Sequence, residues 1–311
     1  MITVSGLTHY YGNRRAVEDL SFTIAENEIV GILGLNGAGK STTLKVLAGL
    51  VIPTAGTVTV DGTDLVAAGA EFRSRIGYLP EDPPLYKEMT VTEFLLYVGQ
   101  LKGRSAADVL ARLPAVLKTC QIDQVADRVI GELSHGYKKR VGIAQAIIHQ
   151  PRLVILDEPI SGLDPKQIVE MRQVVRALGK QCTVLISSHI LAEISETCDR
   201  ILVLNGGRIV ASGVESELAA AAGTQGTRVT LQLRGSREQI EGALRHVTGL
   251  QSSNLAEEPG GLWKVHVALG ADHRESLVAA LVTAGVGVRR MVEDESELES
   301  IFLGLTQGAT A

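Results

Sequence analysis

The 311-residue sequence lacks any long apolar run, any leader-like start and any strong excess of one charge. Its longest uncharged stretch, residues 46–60, contains Pro53 and two glycines, so it is too short and too interrupted to cross a bilayer. The first residues lack a basic segment followed by an apolar one, so no secretion signal is expected. A net charge of −5 gives no overall attraction for nucleic acid, and we expect no nucleic acid partner.

Cysteine is also scarce, and its placement argues against metal binding. Cys120, Cys182 and Cys198 have no metal-ligand spacing and lie within apolar segments. We interpret them as reduced thiols in the core of a cytosolic protein. An apolar fraction of 45% permits a substantial core, and the length suits one large domain and one small domain.

Strand-like and helix-like segments alternate along residues 1–222, which predicts an α/β fold with a layered core. Residues 28–33, 153–156 and 182–186 are mainly apolar, as expected of strands buried on both faces of a parallel sheet. A glycine-rich turn and a helix at residues 40–50 follow the first of these strands.

A helical insert is predicted at about residues 87–150, within the α/β body. Thr90 and Glu93 have capping-box spacing, which indicates the start of a helix. A second helix is expected from about Ala106 to Cys120, with a kink at Pro114.

Residues 227–311 are predicted to form a small α+β accessory domain, for which a ferredoxin-like topology is one candidate. Glycines at 223 and 226 indicate a linker before it. We interpret the domain as a structural accessory, with ligand sensing as the alternative. Its expected strands are 229–233, 263–268 and 286–291, and its expected helices are 237–247, 273–284 and 295–305.

A glycine-rich segment at residues 34–42 (GLNGAGKST) matches the phosphate-loop pattern GxxxxGK[ST], between a predicted strand and a predicted helix. Its glycines let main-chain N–H groups converge on an anion at the positive end of the helix. Lys40 would reach the β- and γ-phosphates, and the Ser41 hydroxyl would bind Mg²⁺. The nucleotide-binding residues predicted here are Gly34, Asn36, Gly37, Ala38, Gly39, Lys40, Ser41 and Thr42.

Two acidic residues, Asp157 and Glu158, directly follow the apolar strand 153–156. A carboxylate there emerges at the end of the strand, where α/β sheets bind ligands. We expect Asp157 to hold Mg²⁺ through water and Glu158 to orient or deprotonate the attacking water. Together with the phosphate loop, this pair predicts a nucleoside triphosphatase.

A third motif, residues 133–137 (LSHGY), resembles the signature of ABC-transporter ATP-binding subunits. The resemblance covers about residues 1–215 and implies a P-loop NTPase core with an antiparallel β subdomain and a helical insert. It also implies that the helix capped by Ser134 faces the ATP of a second subunit, where Ser134 and the main chain of Gly136 contact the γ-phosphate. The usual signature has glycine in place of His135 and most often glutamine in place of Tyr137.

Further positions match the family one at a time. Tyr11 resembles the aromatic residue that stacks on adenine, with Tyr10 as an alternative. Asp164, in residues 161–164 (SGLD), resembles the loop through which two subunits communicate. His189 resembles the switch histidine that contacts the γ-phosphate. The catalytic residues predicted on this basis are Lys40, Glu158 and His189.

Glu81 is a departure from the family, which usually has glutamine at this position as a contact to Mg²⁺ and water. Glutamate still presents oxygen to a hard cation, so Glu81 is a candidate Mg²⁺ ligand with Ser41 and Asp157. A solvated loop acid is the alternative interpretation. The neighbouring residues 82–85 (DPPL) predict a stiff loop, and we expect a groove for a short permease helix between Glu81 and Tyr86, with a rigid surface turn as the alternative.

The resemblance implies a Mg²⁺-dependent ATPase subunit that powers a separate integral membrane permease by closing with a second ATP-binding subunit, as a homodimer or with a paralogue. Residues 80–81 (PE) and 89–93 (MTVTE) are similar to ABC-2-type exporters. We expect a cytoplasmic protein held at the inner face of the membrane by its permease. The alternative is a soluble ABC-type ATPase acting on ribosomes or DNA, which the single phosphate loop and the lack of sustained heptads disfavour.

Overall fold

The computed structural model describes residues 1–221 and 227–293, and the chain divides into two compact units, residues 1–215 and 216–311. The linker predicted at 223–226 and the helix predicted at 295–305 lie outside the described residues. In chain order, the elements of the first unit are β1 (Ile2–Tyr11), β2 (Arg14–Ile24), β3 (Ile29–Leu33), α1 (Lys40–Leu47), β4 (Ala55–Val60), β5 (Thr63–Asp64), α2 (Leu65–Ser74), β6 (Ile76–Leu79), α3 (Val91–Leu101), α4 (Ala106–Thr119), α5 (His135–Ile147), β7 (Leu153–Leu156), α6 (Pro165–Gly179), β8 (Thr183–Ser188), α7 (Leu191–Ser195), β9 (Arg200–Asn205) and β10 (Arg208–Gly213).

An antiparallel sheet in the order β2-β1-β4-β5 forms one layer of the first unit. Alternate residues of β1 and β4, such as Ile2, Val4, Val58 and Val60, are buried, because one face of this sheet packs on the core. This sheet confirms the antiparallel β subdomain that the family resemblance implies.

A second sheet has the order β10-β9-β3-β8-β7-β6, and all its strands except β10 run parallel. Every residue of β3, β7 and β8 is buried, which confirms the interpretation of these segments as strands covered on both faces. Because the strands are parallel, the residues after β3, β7 and β8 meet at the same edge of the sheet. This edge collects the phosphate loop, Asp157 and His189.

Helices α3, α4 and α5 form the predicted helical part of the first unit. Thr90 caps α3 through a capping box with Glu93, as the sequence spacing predicted. Helix α4 continues through Pro114 to Thr119, and its buried residues recur at helical spacing: Val109, Leu113, Val116 and Leu117. Within residues 1–221 and 227–293, no helix has the length and apolarity needed to cross a membrane.

The elements of the second unit are α8 (Glu215–Ala221), which begins at the last residue of the first unit, β11 (Thr227–Arg234), α9 (Arg237–Arg245), β12 (Leu250–Glu258), β13 (Leu262–Leu269), α10 (Arg274–Thr283) and β14 (Gly287–Glu293). From β11 to β14 the chain order is β-α-β-β-α-β, as expected of a ferredoxin-like fold. Its sheet is antiparallel with the order β12-β13-β11-β14, and α9 and α10 contribute apolar residues to its core. Strand β12 was not predicted, because most of its residues are polar and exposed at the sheet edge.

Candidate active site

The phosphate loop, residues 34–42, joins β3 to α1, and two of its glycines leave no room for a side chain. Gly39 caps α1 with a φ of 103°, and a Cβ atom there would lie 2.8 Å from the carbonyl oxygen of Ala16. A Cβ on Gly34 would lie 2.7 Å from the carbonyl oxygen of Leu204. The first turn of α1 has no acidic residue, so its free N–H groups can donate hydrogen bonds to an anion.

Lys40, the first residue of α1, is only 6% exposed and reaches back across the loop. Its Nζ donates to the carbonyl oxygen of Gly34 at 2.7 Å and lies 3.5 Å from Oε1 of Glu158. The ammonium group therefore lies between the phosphate loop and the carboxylate that follows β7.

Glu158 is the point at which the predicted catalytic residues meet. It is 8% exposed and has a φ of 48°, a conformation that side-chain-bearing residues adopt at a cost and that clusters at functional sites. Its Oε2 lies 3.0 Å from Nδ1 of His189, while its Oε1 faces Lys40. The structure thus brings Lys40, Glu158 and His189 together.

Ser187, in β8, organises the two acidic residues and was missed by sequence reasoning. Its hydroxyl donates to Oδ1 of Asp157 at 2.7 Å and accepts the main-chain N–H of Glu158 at 2.9 Å. Asp157 is itself buried. The only sequence signal for Ser187 is a pair of serines, Ser187 and Ser188, directly after the aliphatic residues 184–186 of β8.

Lys139 is a second residue that sequence reasoning missed. It is 2% exposed, and its Nζ donates to the carbonyl oxygen of Glu158 at 2.9 Å. Burial lowers the pKa of Lys139, and the carboxylates of Glu81 and Asp82 are the strongest of the charges that oppose this shift. Burial, together with the negative charge of Asp157, raises the pKa of Tyr78 to about 12.

A cavity of about 510 Å³ opens in front of the phosphate loop, within the usual size of a small-ligand site. Tyr11 is among its lining residues, whereas Tyr10 is not, so the geometry separates the two candidates for adenine stacking. Arg14 and Arg15 also line the cavity and were not predicted. The predicted residues that line it are Tyr11, Asn36, Gly37, Gly39, Lys40, Ser41, Thr42, Glu81, Glu158 and His189.

Three further predicted residues are not among those that line the cavity. The carbonyl oxygen of Gly34 accepts a hydrogen bond from the Lys40 ammonium group, Ala38 is buried within the loop, and the buried Asp157 accepts a hydrogen bond from Ser187. Glu81 lies beside the same cavity as Ser41.

Ser134, Gly136 and Asp164 are not among the residues that line this cavity. Ser134 caps α5 by accepting the N–H of Tyr137, and Asp164 caps α6 by accepting the N–H of Gln167. The two helix starts lie together, since a Cβ on Gly136 would come within 2.6 Å of Oε1 of Gln167. Ser134 and Asp164 are exposed, so within one chain they form a surface outside the cavity lining, and Gly136 is buried next to Ser134.

Comparisons with known proteins agree with this geometry. The family model described as ABC transporter matches residues 17–161. The uncharacterized ABC transporter ATP-binding protein YxlF of Bacillus subtilis is 35% identical over 97% of this chain and 98% of its own length. The Nod factor export ATP-binding protein I of Rhizobium sp. is 34% identical over 98% of this chain and 96% of its own.

A solved structure shows the same fold in a nucleotide-bound state. The ATP-binding cassette MJ0796, described as a dimeric post-hydrolysis state bound to ADP and Pi, is 25% identical, with a TM-score of 0.62. The match covers 69% of this chain and 98% of that chain. With the phosphate loop, the acidic pair after β7 and the relatives in view, the chain belongs to the ABC transporter family, in which it is an ATP-binding and ATP-hydrolysing subunit.

Proposed function

We propose that two ATP-binding subunits, either two copies of this chain or this chain and a paralogue, enclose ATP at a shared interface and drive an integral membrane permease. The observation that carries the proposal is a division of the predicted site. Lys40, Glu158 and His189 meet at the cavity, whereas the exposed Ser134 and Asp164 lie on a surface that does not line it. A second copy would complete the site with that surface.

The phosphate loop and Tyr11 would bind the nucleotide. Lys40 would exchange its contact with Gly34 for the β- and γ-phosphates, whose charge the N-terminus of α1 also favours. Tyr11 is half exposed at the cavity wall, so its ring face is accessible to adenine. The loop of Asn36 to Thr42 would surround the triphosphate with main-chain N–H groups.

Ser41, Asp157 and Glu81 are the residues that would hold Mg²⁺. Ser41 and Glu81 line the cavity, and the buried Asp157 is the residue before Glu158 and accepts a hydrogen bond from the Ser187 hydroxyl. The part of the chain that the structure describes has no cluster of three or more acidic, histidine or cysteine side chains suited to a metal. This sparse set of oxygen donors fits Mg²⁺, which keeps several waters and shares its shell with phosphates. When bound, Mg²⁺ would neutralise charge on the phosphate oxygens.

Glu158 would act as the base for water. Its carboxylate accepts a proton as the water oxygen bonds to the γ-phosphorus, and the bond from that phosphorus to the bridging oxygen breaks to leave ADP and phosphate. His189, 3.0 Å from Glu158, would contact the γ-phosphate and orient the carboxylate. Lys40 would stabilise the negative charge that develops on the transferred group.

The Ser134 surface of the second copy would close over this triphosphate. Ser134, the main chain of Gly136 and the Asp164 loop are already adjacent within one chain, so they can approach a nucleotide as one unit. Hydrolysis would then remove the contacts that hold the two copies together, and the interface would open.

Export is the direction of transport that the relatives support, since one of them carries Nod factor export in its name. The loop at residues 82–85 would receive a short permease helix, which places the chain at the inner face of the cell membrane. The alternative of a soluble ATPase on ribosomes or DNA has no support among the relatives named above.

The test is the variant Glu158→Gln, measured for ATP binding, hydrolysis and mass in solution. We expect ATP binding to persist, hydrolysis to fall by at least about 100-fold, and a closed dimer to accumulate with Mg-ATP, because the variant lacks the base. Glu71→Gln, on an exposed residue of α2 paired with Arg75, should behave as the wild type. Rapid multiple turnover by Glu158→Gln, or a nucleotide-bound monomer, would contradict the proposal.

A further inference from the structure

Lys139 connects helix α5, which Ser134 caps, to Glu158 of the same chain. It lies on α5, five positions after the Ser134 cap, and its side chain is almost fully buried. Its ammonium group donates to the main-chain carbonyl of Glu158 at 2.9 Å, although the two residues are 19 positions apart in the sequence. A buried lysine needs such a partner, because an unpaired charge in the interior costs several kcal/mol.

The surroundings of Lys139 are strongly acidic. Burial lowers the pKa of its ammonium group, and nearby carboxylates oppose that shift and favour the charged form. The positive charge therefore balances part of the negative charge of these neighbouring acidic residues. The carboxylates concerned are those of Glu81, Asp82, Glu158 and Asp157.

Glu158 needs to be held, because its main chain has a φ of 48°. Such a conformation persists only where the surrounding contacts determine it. Ser187 accepts the N–H of Glu158, and Lys139 donates to its carbonyl, so the peptide groups on both sides are fixed. The direction of the carboxylate follows from this main-chain conformation.

We propose that Lys139 is a positioning residue for ATP hydrolysis, which holds the main-chain carbonyl of Glu158 and so links the helix begun by Ser134 to the carboxylate that activates water. The proposal rests on the function proposed above, in which Glu158 accepts the proton. The start of α5 would face the nucleotide bound by the second copy. A movement of α5 would therefore displace Lys139 and, through its hydrogen bond, the main chain of Glu158 in the same chain. Each site thereby responds to occupancy of the other.

The experiment compares Lys139→Met, which removes both the donor and the charge, with Lys139→Gln, which keeps an N–H donor. Steady-state hydrolysis, its Hill coefficient for ATP and ATP affinity in the absence of Mg²⁺ are measured on the full chain. We expect kcat of Lys139→Met to fall about tenfold or more and the Hill coefficient to approach one, while ATP affinity stays within about twofold. Lys139→Gln should retain more of the activity, because it can still donate to the carbonyl.

Lys138→Met is the matched control. Lys138 is the neighbouring lysine on α5, but its ammonium group donates to the carbonyl oxygen of Gly131 at 3.0 Å. This variant should keep the wild-type kcat and Hill coefficient. If Lys139→Met shows no cooperative thermal unfolding, the result from Lys139→Gln decides the question.

The outcomes separate this inference from the proposed function. Wild-type turnover by Glu158→Gln would overturn both. A second outcome is that Glu158→Gln stalls while a folded Lys139→Met or Lys139→Gln variant keeps the wild-type kcat and Hill coefficient. That result would overturn only the role of Lys139. In the Glu158→Gln background, Lys139→Met should cause no further loss of activity, and a further tenfold loss would show that Lys139 acts apart from Glu158.

Discussion

The Ser187 hydroxyl donates a hydrogen bond to Oδ1 of Asp157 at 2.7 Å, and the Oγ atom of Ser187 accepts a hydrogen bond from the main-chain N–H of Glu158 at 2.9 Å. One buried side chain therefore fixes both acidic residues that follow β7. Asp157 is one of the proposed Mg²⁺ ligands, and Glu158 is the proposed base. The relative positions of these two groups therefore depend on Ser187.

Ser187→Ala is expected to lower kcat by about tenfold. The change leaves a buried carboxylate oxygen and a buried N–H without their partner, and each such loss is worth roughly 1–3 kcal/mol. The concentration of Mg²⁺ needed for half-maximal activity should rise, because Asp157 loses its fixed orientation. ATP affinity in the absence of Mg²⁺ should stay the same. A Mg²⁺ titration of ATPase activity makes the measurement.

Ser188→Ala is the control for this prediction. Ser188 is the next residue of β8 and is equally buried, but its hydroxyl donates to Glu193 at 2.6 Å and accepts the N–H of Ile190 at 3.0 Å. We expect a smaller effect on kcat and none on the Mg²⁺ requirement. Equal Mg²⁺ profiles for the two variants would refute the role assigned to Ser187.

The parts of the site that could be predicted are those written in short stretches of sequence. The loop at residues 34–42 combines its glycines, lysine and hydroxyls within nine positions, and Asp157 and Glu158 directly follow an apolar strand. Parallel pairing then brings these segments to one edge of the sheet, because β3, β7 and β8 are neighbours. Local patterns were therefore enough for the core of the site.

The parts that could not be predicted depend on contacts between distant residues or on irregular strands. Ser187 and Lys139 meet Glu158 from 29 and 19 positions away, and neither belongs to a recognisable motif. The choice between Tyr10 and Tyr11 was open, because β1 shifts its register between His9 and Tyr10, so alternation along the strand does not assign their faces. Strand β12 has too few buried apolar residues to produce a strand pattern.

Tyr11→Ala is expected to weaken ATP binding by about tenfold or more, since stacking of an aromatic side chain on a base is worth roughly 1–3 kcal/mol. The rings of Tyr11 and His9 pack in a T-shaped arrangement with 4.6 Å between their centroids, and Tyr11 lines the cavity. Tyr11→Phe should keep most of the affinity, because stacking does not use the hydroxyl. Calorimetric titration with Mg-ATP in the Glu158→Gln background, where the substitution blocks turnover, gives the affinity.

Tyr10→Ala is the matched control for Tyr11→Ala. Tyr10 is similarly exposed and adjacent in β1, but it is not among the residues that line the cavity. Its removal should leave ATP affinity within about twofold of the wild type, since it takes no part in stacking. A larger loss for Tyr10→Ala than for Tyr11→Ala would reverse the assignment.

His149 predicts a pH dependence of stability that is separate from catalysis. It is 1% exposed, and its Nε2 donates to the carbonyl oxygen of Ile76 at 3.0 Å. Burial, followed by the positive charge of Lys102, lowers its pKa to about 4. An exposed histidine in the unfolded chain has a pKa of about 6.5. Between these two values the unfolded chain binds a proton that the folded chain excludes, so stability falls as pH drops from about 6.5 towards 4.

The expected loss across this window is up to about 3 kcal/mol, and His149 adds no pH dependence above it. His149→Gln can still donate to Ile76 but cannot be protonated, so its unfolding free energy should decline less steeply between pH 6.5 and 4.5. Urea unfolding at a series of pH values measures the slope. His246→Gln, on an exposed histidine beside the carbonyl oxygen of Gly242, should leave the slope unchanged. If His149→Gln has the wild-type slope, the buried ring is not the group that destabilises the fold in acid.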